Sequence, residues 1–416
     1  MVPLVIAGLT AVNGCTPEKA ASKPHPIEVL PARSFTRVWA GPSHAADDPI
    51  RMIDVRDDLV YVYFDSKQVS AVERKSGKFK FSVSVYSPTH ELRPLVELKD
   101  KVVFPNATTL EVYDFDGDHE RSVHLNKSLV SNAAGAGQII YFGSTGPNGG
   151  LVEAYDMSDD PATVAAPFKW EFLANKGGEI LAAPAVLNGI VYSGSTHGEV
   201  DAVNEKRDIV WDTDQNMFLV GEQLTVDRAP MTDNKISADL RVDESGLYVA
   251  SKNGTMFCIN RATGKLLWQY FSGAPLADSP VLAADTVYLQ VPGKGLIALD
   301  KGNKFAFDRL PRWTYPTATQ FLSQDAKYSY LAEPTGKSDD GTQTYHIIAV
   351  DKMTGVKVFA SDRDDFTAFG SNKRDALIYG GFADGSFMAV TPVLKPGQIG
   401  ELVMGPVDKD AIAVAR

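Results

Sequence analysis

Short stretches of alternating apolar and polar residues, each closed by Asn-Gly, Thr-Gly or Asp-Gly, run along almost the whole chain. In the middle they read ILAAPAVLNG, IVYSGSTHG, EVDAVNEKRD and IVWDTD, four consecutive strand-length segments ending at Asp214. Period-two alternation places one side chain on each face in turn, and those turn dipeptides tolerate the positive φ that tight hairpins need. The pattern therefore predicts four antiparallel strands, A to D, with A innermost. It then recurs: GLYVASKNGTMFCINRATGKLLW ends at Trp268 as GIVYSGSTHGEVDAVNEKRDIVW ends at Trp211.

Aligning the apolar-Tyr element of strand B gives Tyr61, Val103, Tyr141, Tyr192, Tyr248, Tyr288, Tyr330 and Tyr379, spaced by 42, 38, 51, 56, 40, 42 and 49 residues. Periods of ~40 to 50 residues, each with several short strands, mark propeller blades rather than helical solenoids. The chain is thus expected to be all-β, an eight-bladed β-propeller of four-stranded antiparallel blades. Because each blade packs only on its neighbours, residues 35–405 can form one domain despite their number. Residues 406–416 are expected to be a C-terminal tail.

An aromatic near the start of strand D gives a second register: Phe81, Trp170, Trp211, Trp268, Phe307 and Phe359, with Val123 holding the place in the second copy. A once-per-blade aromatic at one strand position is expected to pack neighbouring blades together rather than stack on a ligand. The eighth copy has strands A to C, through LIYGGFADGSFMAVTPVL, and no aromatic strand D after them. SFTRVWAG, with Trp39, supplies one from the other chain end and is expected to close the ring. Closure removes the exposed edge that a first and a last blade would leave. GELVMGPV, near the C-terminus, is the competing candidate. Insertions around 159–161 and 334–345 account for the two longest distances from anchor to aromatic. One segment breaks the repeat, DQNMFLVGEQLTVDRAPMTDNKI at 214–236. Long loops on rigid scaffolds tend to carry function, so Met217, Phe218, Leu219, Val220 and Arg228 are candidate partner-binding residues. The alternative is a loop folded over its own blade.

Composition narrows the classes. With 41 basic and 52 acidic residues the formal net charge is −11 and no basic run stands out. Nucleic-acid binding is disfavoured, since it needs a positive surface to displace counterions. The two cysteines are Cys15 and Cys258, and the latter occupies an apolar strand position, where it reads as a small buried hydrophobe. No CxxC or CxxCH occurs. DFDGDHERSVHL, from Asp114, starts like a calcium loop. It has His119 in place of the glycine and Leu125 in place of the bidentate glutamate, so turn chemistry explains Asp114, Asp116 and Asp118. The seven histidines show no metal-ligand spacing, and GxSxG, HExxH and phosphate-loop motifs are absent. No catalytic, cofactor-binding or metal residue is assigned.

The first residues differ from all that follow. VPLVIAGLTAV is too short to span a bilayer and long enough for a signal-peptide core, and Asn-Gly-Cys follows at 13–15. This start resembles a bacterial lipoprotein signal over residues 1–14, which implies that Cys15 is the lipidated first residue of the mature chain. A cleaved secretory signal and a fortuitous apolar terminus are the alternatives. The Pro-, Ala-, Ser- and Lys-rich stretch at 15–34 suits a flexible tether.

The phrase VYSGSTHGEVDAVN, then a turn and IVW, is similar to the repeat of pyrroloquinoline-quinone-type propellers, most clearly over 190–211 and 246–268. Quinoprotein dehydrogenases share that repeat with non-enzymatic members such as the BamB lipoproteins of outer-membrane-protein assembly. The repeat encodes packing and turns, so it speaks for fold rather than activity. The enzymatic branch implies a vicinal disulfide beside the cofactor, and the chain has no vicinal cysteines. The resemblance with the non-enzymatic branch implies a scaffold lipoprotein without cofactor. It would sit on the periplasmic face of a bacterial membrane, the outer one, and bind a membrane protein or envelope complex. A divergent quinoprotein-type enzyme and a glycan- or peptide-binding propeller using the central channel are the alternatives.

Overall fold

The computed structural model describes residues 33–41, 48–85, 93–174, 177–214, 234–302, 309–338 and 340–394. These form eight four-stranded antiparallel sheets, each built in the order A-B-C-D. Blade 1 comprises Ile50–Val55, Leu59–Phe64, Gln68–Glu73 and Phe79–Ser84. Its strand B, LVYVYF, is buried at every position, whereas strand D, FKFSVS, alternates between buried and exposed. Each blade is sandwiched between two others, so its middle strands have no solvent face and only the rim shows amphipathic alternation.

The period of two decides which neighbour each side chain meets. Leu59, Tyr61 and Tyr63 enter the core shared with blade 2, and Val60, Val62 and Phe64 enter the core shared with blade 8. The hydrophobic clusters number eight among the described residues, one for each adjacent pair of blades. Every fully buried large side chain contributes roughly 1.5–3 kcal/mol by leaving water.

The ring closes through its N-terminal strand. Arg33–Gly41 pairs antiparallel with Phe387–Leu394, placing Trp39 opposite Ala389 as strand D of blade 8. This strand begins at Arg33, two residues inside the stretch expected to be tether. The competing GELVMGPV lies outside the described residues.

A recurring contact joins several blades to the next. Trp211 and Trp39 sit 5.9 Å from Tyr192 and Tyr379 of their own blades. Each indole N–H then donates to a C–D turn carbonyl of the following blade: Trp39 to Arg74 at 3.1 Å, Trp211 to Arg261 at 2.9 Å. Beneath Trp211 lies Gly264 at φ +69°, where an added Cβ would fall 2.7 Å from the ring. Phe81, Trp170, Trp268 and Phe359 occupy the same register, opposite Ala71, Ala154, Cys258 and Ala349.

Two positions differ from the sequence reading. In blade 6 the register is held by Trp313, opposite Ala298 and bonded to the Lys352 carbonyl at 3.0 Å. Phe307 lies outside the described residues. In blade 2 the register residue is Arg121, opposite Val112, and Val123 sits two positions along, opposite Leu110. Arg121 Nη2 donates to the Met157 carbonyl of blade 3 at 2.7 Å, the same kind of hydrogen bond that the indoles of Trp39, Trp211 and Trp313 make. A guanidinium here makes the donor contact of Trp39, Trp211 and Trp313, whereas Phe81 and Phe359 fill the register with a ring alone and the indole N–H groups of Trp170 and Trp268 have no partner among the described residues.

The insertion at 159–161 leads into a five-residue helix, Pro161–Ala165, capped by the Asp160 carboxylate. The one at 334–345 is the tip of a long hairpin between Tyr328–Lys337 and Gln343–Asp351.

Candidate functional site: the mouth of the central channel

The A–B turns gather on one face around the central channel, and several carry charge where sister repeats carry apolar residues. Arg56 and Arg374 both stand five residues before their anchor tyrosines, the position held by Leu98 and Leu187 in blades 2 and 4. Arg56 donates to Asp54 Oδ2 through Nε at 3.0 Å and Nη2 at 2.6 Å, and Nη2 also reaches the Leu95 carbonyl at 2.8 Å. Tyr61 donates to Glu97 at 2.8 Å, and burial pushes the Glu97 carboxyl above its ordinary range.

Across the channel, Asp239 ties three blades together. It accepts from Asn132 of blade 3 at 3.1 Å and from the Ala183 N–H at the entry to blade 4 at 2.9 Å, and it faces Arg241 of blade 5 at 3.7 Å. Lys301, at the C–D turn of blade 6, donates to Asp243 of blade 5 at 2.5 Å.

The A–B turn of blade 8 completes the mouth. Asn372 is fully buried, and its amide donates to Asp375 Oδ1 at 2.5 Å and to the Leu377 carbonyl at 2.9 Å. Its own backbone N–H donates to the Leu322 carbonyl at 2.6 Å. Asp375 pairs with Arg74 of blade 1, and Arg374 pairs with Asp57. The turn is held from both sides, which fixes Lys373 between Asn372 and Arg374.

Lys373 is solvent-exposed beside this turn. The protein mass around it, then the positive charges of Arg241, Lys301 and Arg56, lower its pKa to about 8. Arg241 is likewise lowered by burial, with Arg56 opposing its charge. Blades 1 and 5 stand on opposite sides of an eight-membered ring, so Arg56 and Arg241 can interact only across the channel.

Other constellations resolve into local structure. The Asp114 carboxylate accepts the backbone N–H groups of Asp116 and Asp118, both at 2.9 Å, and so serves its own turn. Ser122, His119 and Glu111 meet on blade 2, but Ser122 and Glu111 both approach the same nitrogen, Nε2, at 3.4 and 3.0 Å. A triad requires the base to be oriented through its other nitrogen. Cys258 is fully buried, and burial pushes its thiol up to about 12. Among the described residues no group of three His, Cys, Asp or Glu could hold a metal. Cys15, Met217, Phe218, Leu219, Val220 and Arg228 lie outside the described residues.

The fold defines an eight-bladed β-propeller of four-stranded antiparallel blades. The family described as outer membrane protein assembly factor BamB matches residues 196–336, from blade 4 into blade 7. Among solved structures, BamB from Moraxella catarrhalis is similar at a TM-score of 0.57 with 15% identity, covering 88% of this chain and 99% of that one. The computationally designed Ika8 protein gives a TM-score of 0.60 with 14% identity, covering 85% and 99%. Sqt1 of Saccharomyces cerevisiae gives 0.57 with 12% identity, covering 86% and 99%. Identities this low speak for the fold alone. No curated protein sequence matches the chain.

Proposed function

We propose that this protein is a non-catalytic scaffold lipoprotein of a bacterial envelope that binds other proteins through a propeller face or its loops. In this reading it is anchored by Cys15 to the periplasmic face of the outer membrane and acts within a membrane-associated complex. BamB-like support of outer-membrane-protein assembly is its specific version. The observation that carries it is the BamB family match over residues 196–336. The use of the repeat's aromatics for packing between blades is consistent with it. Met217, Phe218, Leu219, Val220 and Arg228 are the proposed contact residues. They belong to the D–A connection between blades 4 and 5, whose ends emerge on the face opposite the A–B turns.

Purification from native membranes in mild detergent, followed by cross-linking and mass spectrometry, tests the reading. It should recover a stoichiometric envelope partner together with an acyl group on Cys15. Cys15→Ala should release the protein from the membrane fraction. A monomer without any stoichiometric partner would overturn the scaffold role, and an unmodified Cys15 would overturn the anchor.

A further inference from the structure

The other end of the channel, where the D–A connections lead into strand A, is built differently from blade to blade. Three residues before the strand A residue that pairs with the strand B anchor stand Asp278, Gln320, Thr367 and Arg51 in blades 6, 7, 8 and 1. Blades 4 and 5 have the buried Ala182 and Ala238 at the same position. Blade 2 has Arg93, which donates to the Ser131 carbonyl at 2.8 Å. Blade 3 has Ser131, whose hydroxyl is bonded to the Asn132 carbonyl and the Gly143 N–H. The four polar residues of blades 6, 7, 8 and 1 all line one cavity of about 730 Å³. That volume lies in the range of sites that take small ligands.

The groups around this cavity select a chemistry. Arg51 is paired with Asp65 at 2.8 Å. The Gln320 amide nitrogen donates to the Phe369 carbonyl at 3.2 Å and to Ser371 Oγ at 3.3 Å, so the amide is held against blade 8. Its carbonyl oxygen accepts from no described residue. The exposed Asp278 carboxylate makes no hydrogen bond or ion pair with a described residue. Beside these two acceptors the wall is the half-buried ring of Tyr345 and the aliphatic surface of Met52 and Val281. An anion would face Asp278 with the neighbouring cation already paired. An apolar ligand would strip water from both acceptors and return no hydrogen bond.

We propose that this end of the channel binds a neutral oligosaccharide, its hydroxyl groups donating to the Asp278 carboxylate and the Gln320 carbonyl oxygen and its C–H face lying on Tyr345. A sugar joins many O–H donors to an apolar face, which is the complement of this lining. The site is independent of the scaffold reading, so either can fail alone.

The test is calorimetric titration of the folded full chain with maltotriose and with triacetylchitotriose, the two arms distinguishing a plain glucan from an N-acetylated glycan. Saturable binding of at least one is expected. Its affinity should change less than about twofold between roughly 0.05 and 0.5 M NaCl, because the ligand carries no charge to be screened. Asp278→Ala removes no contact within the protein; it should weaken binding about tenfold or more, the effect of losing hydrogen bonds to a charged acceptor, and leave thermal unfolding unchanged. Gln320→Met, followed by thermal unfolding in parallel because the amide joins blades 7 and 8, should weaken binding as well. Absence of saturation with both sugars would overturn the proposal, as would an Asp278→Ala variant that binds like the native chain. Binding of trilysine that Asp278→Ala abolishes, without binding of either sugar, would assign the cavity to a cationic peptide and equally overturn it.

Discussion

An exposed ammonium that faces the positive charges of Arg241, Lys301 and Arg56 opposes folding for as long as it is protonated. Lys373 has a pKa of about 8 in the folded chain against an ordinary 10.5. Below pH 8 both states carry the proton and the penalty is present in full. Between pH 8 and 10.5 the native state gives the proton up while the unfolded state keeps it, so the penalty fades. Lys373→Met is therefore expected to raise stability by about 1 kcal/mol at pH 7. That is less than the roughly 3 kcal/mol a shift of this size implies, because water still screens the group. In urea titrations the gain should close between pH 8 and 10.5; a gain that stays constant across that range would contradict the assignment. Glu333 runs the other way. Burial raises its pKa, but hydrogen bonds from Thr317, from His346 at 2.8 Å and from Lys357 at 2.9 Å outweigh that and bring it to about 2. Its contribution is present above pH 4.5 and lost as pH falls towards 2. Glu333→Gln should remove about 2 kcal/mol at pH 6, and its unfolding free energy should run nearly parallel to neutral through the acid window where the native chain loses ground. Neither residue was legible in the sequence as special. Lys373 looks like any turn lysine in SNKRDA until blades 1, 5 and 6 are brought around it, and its register offers only the hint that charge replaces an apolar residue.

At the scale of the element, the unit that repeats is a docking contact: an aromatic on strand D, an anchor tyrosine on strand B and a glycine in the next blade's C–D turn. Trp313 illustrates it, with Tyr288 at 5.8 Å and Gly355 at φ +72° beneath its ring. Trp313→Ala should cost ~3–5 kcal/mol through the cavity left at a buried aromatic. Gly355→Ala should cost more than ~1 kcal/mol, because its Cβ would lie 2.6 Å from Trp313 Cγ on a backbone that alanine resists. The double variant should cost less than the sum, since removing the ring removes the clash; strict additivity in chemical denaturation would show that the two do not form one unit. Most of this unit can be read from period-two patterning and Thr-Gly turns. It failed at two blades for physical reasons. The run between Asp300 and Trp313 in blade 6 exceeds the usual C–D turn, so counting from Tyr288 lands on Phe307. In blade 2 the donor is the Arg121 guanidinium, and a register built on aromatic rings cannot see a substitution that keeps the hydrogen bond and discards the ring.

For the whole molecule, the ring makes one blade unlike the rest. Seven blades are continuous in sequence, whereas blade 8 joins Arg33–Gly41 to a sheet built more than three hundred residues later. Its integrity rests on that pairing and on Trp39, which packs on Tyr379 and Phe387 and bonds to blade 1. Tyr379 donates to the same Arg74 carbonyl at 3.2 Å, and Arg74 in turn holds Asp375 of the channel-mouth turn. Closure and channel mouth thus share one residue. Stability in a repeat array is local, a sum of blade terms and nearest-neighbour interfaces. Loss of the closing contact should therefore appear first in blades 8 and 1 and only faintly across the ring. Trp39→Ala is expected to speed amide exchange at least tenfold in Ala368–Gly370, Ile378–Gly381 and Phe387–Leu394, the remaining strands of blade 8. Strands of blade 4, such as Ile190–Gly194 and Glu199–Asn204, should change by less than threefold. Hydrogen-exchange mass spectrometry on the intact chain reads both at once. A uniform increase around the ring would mean that closure sets global rather than local stability.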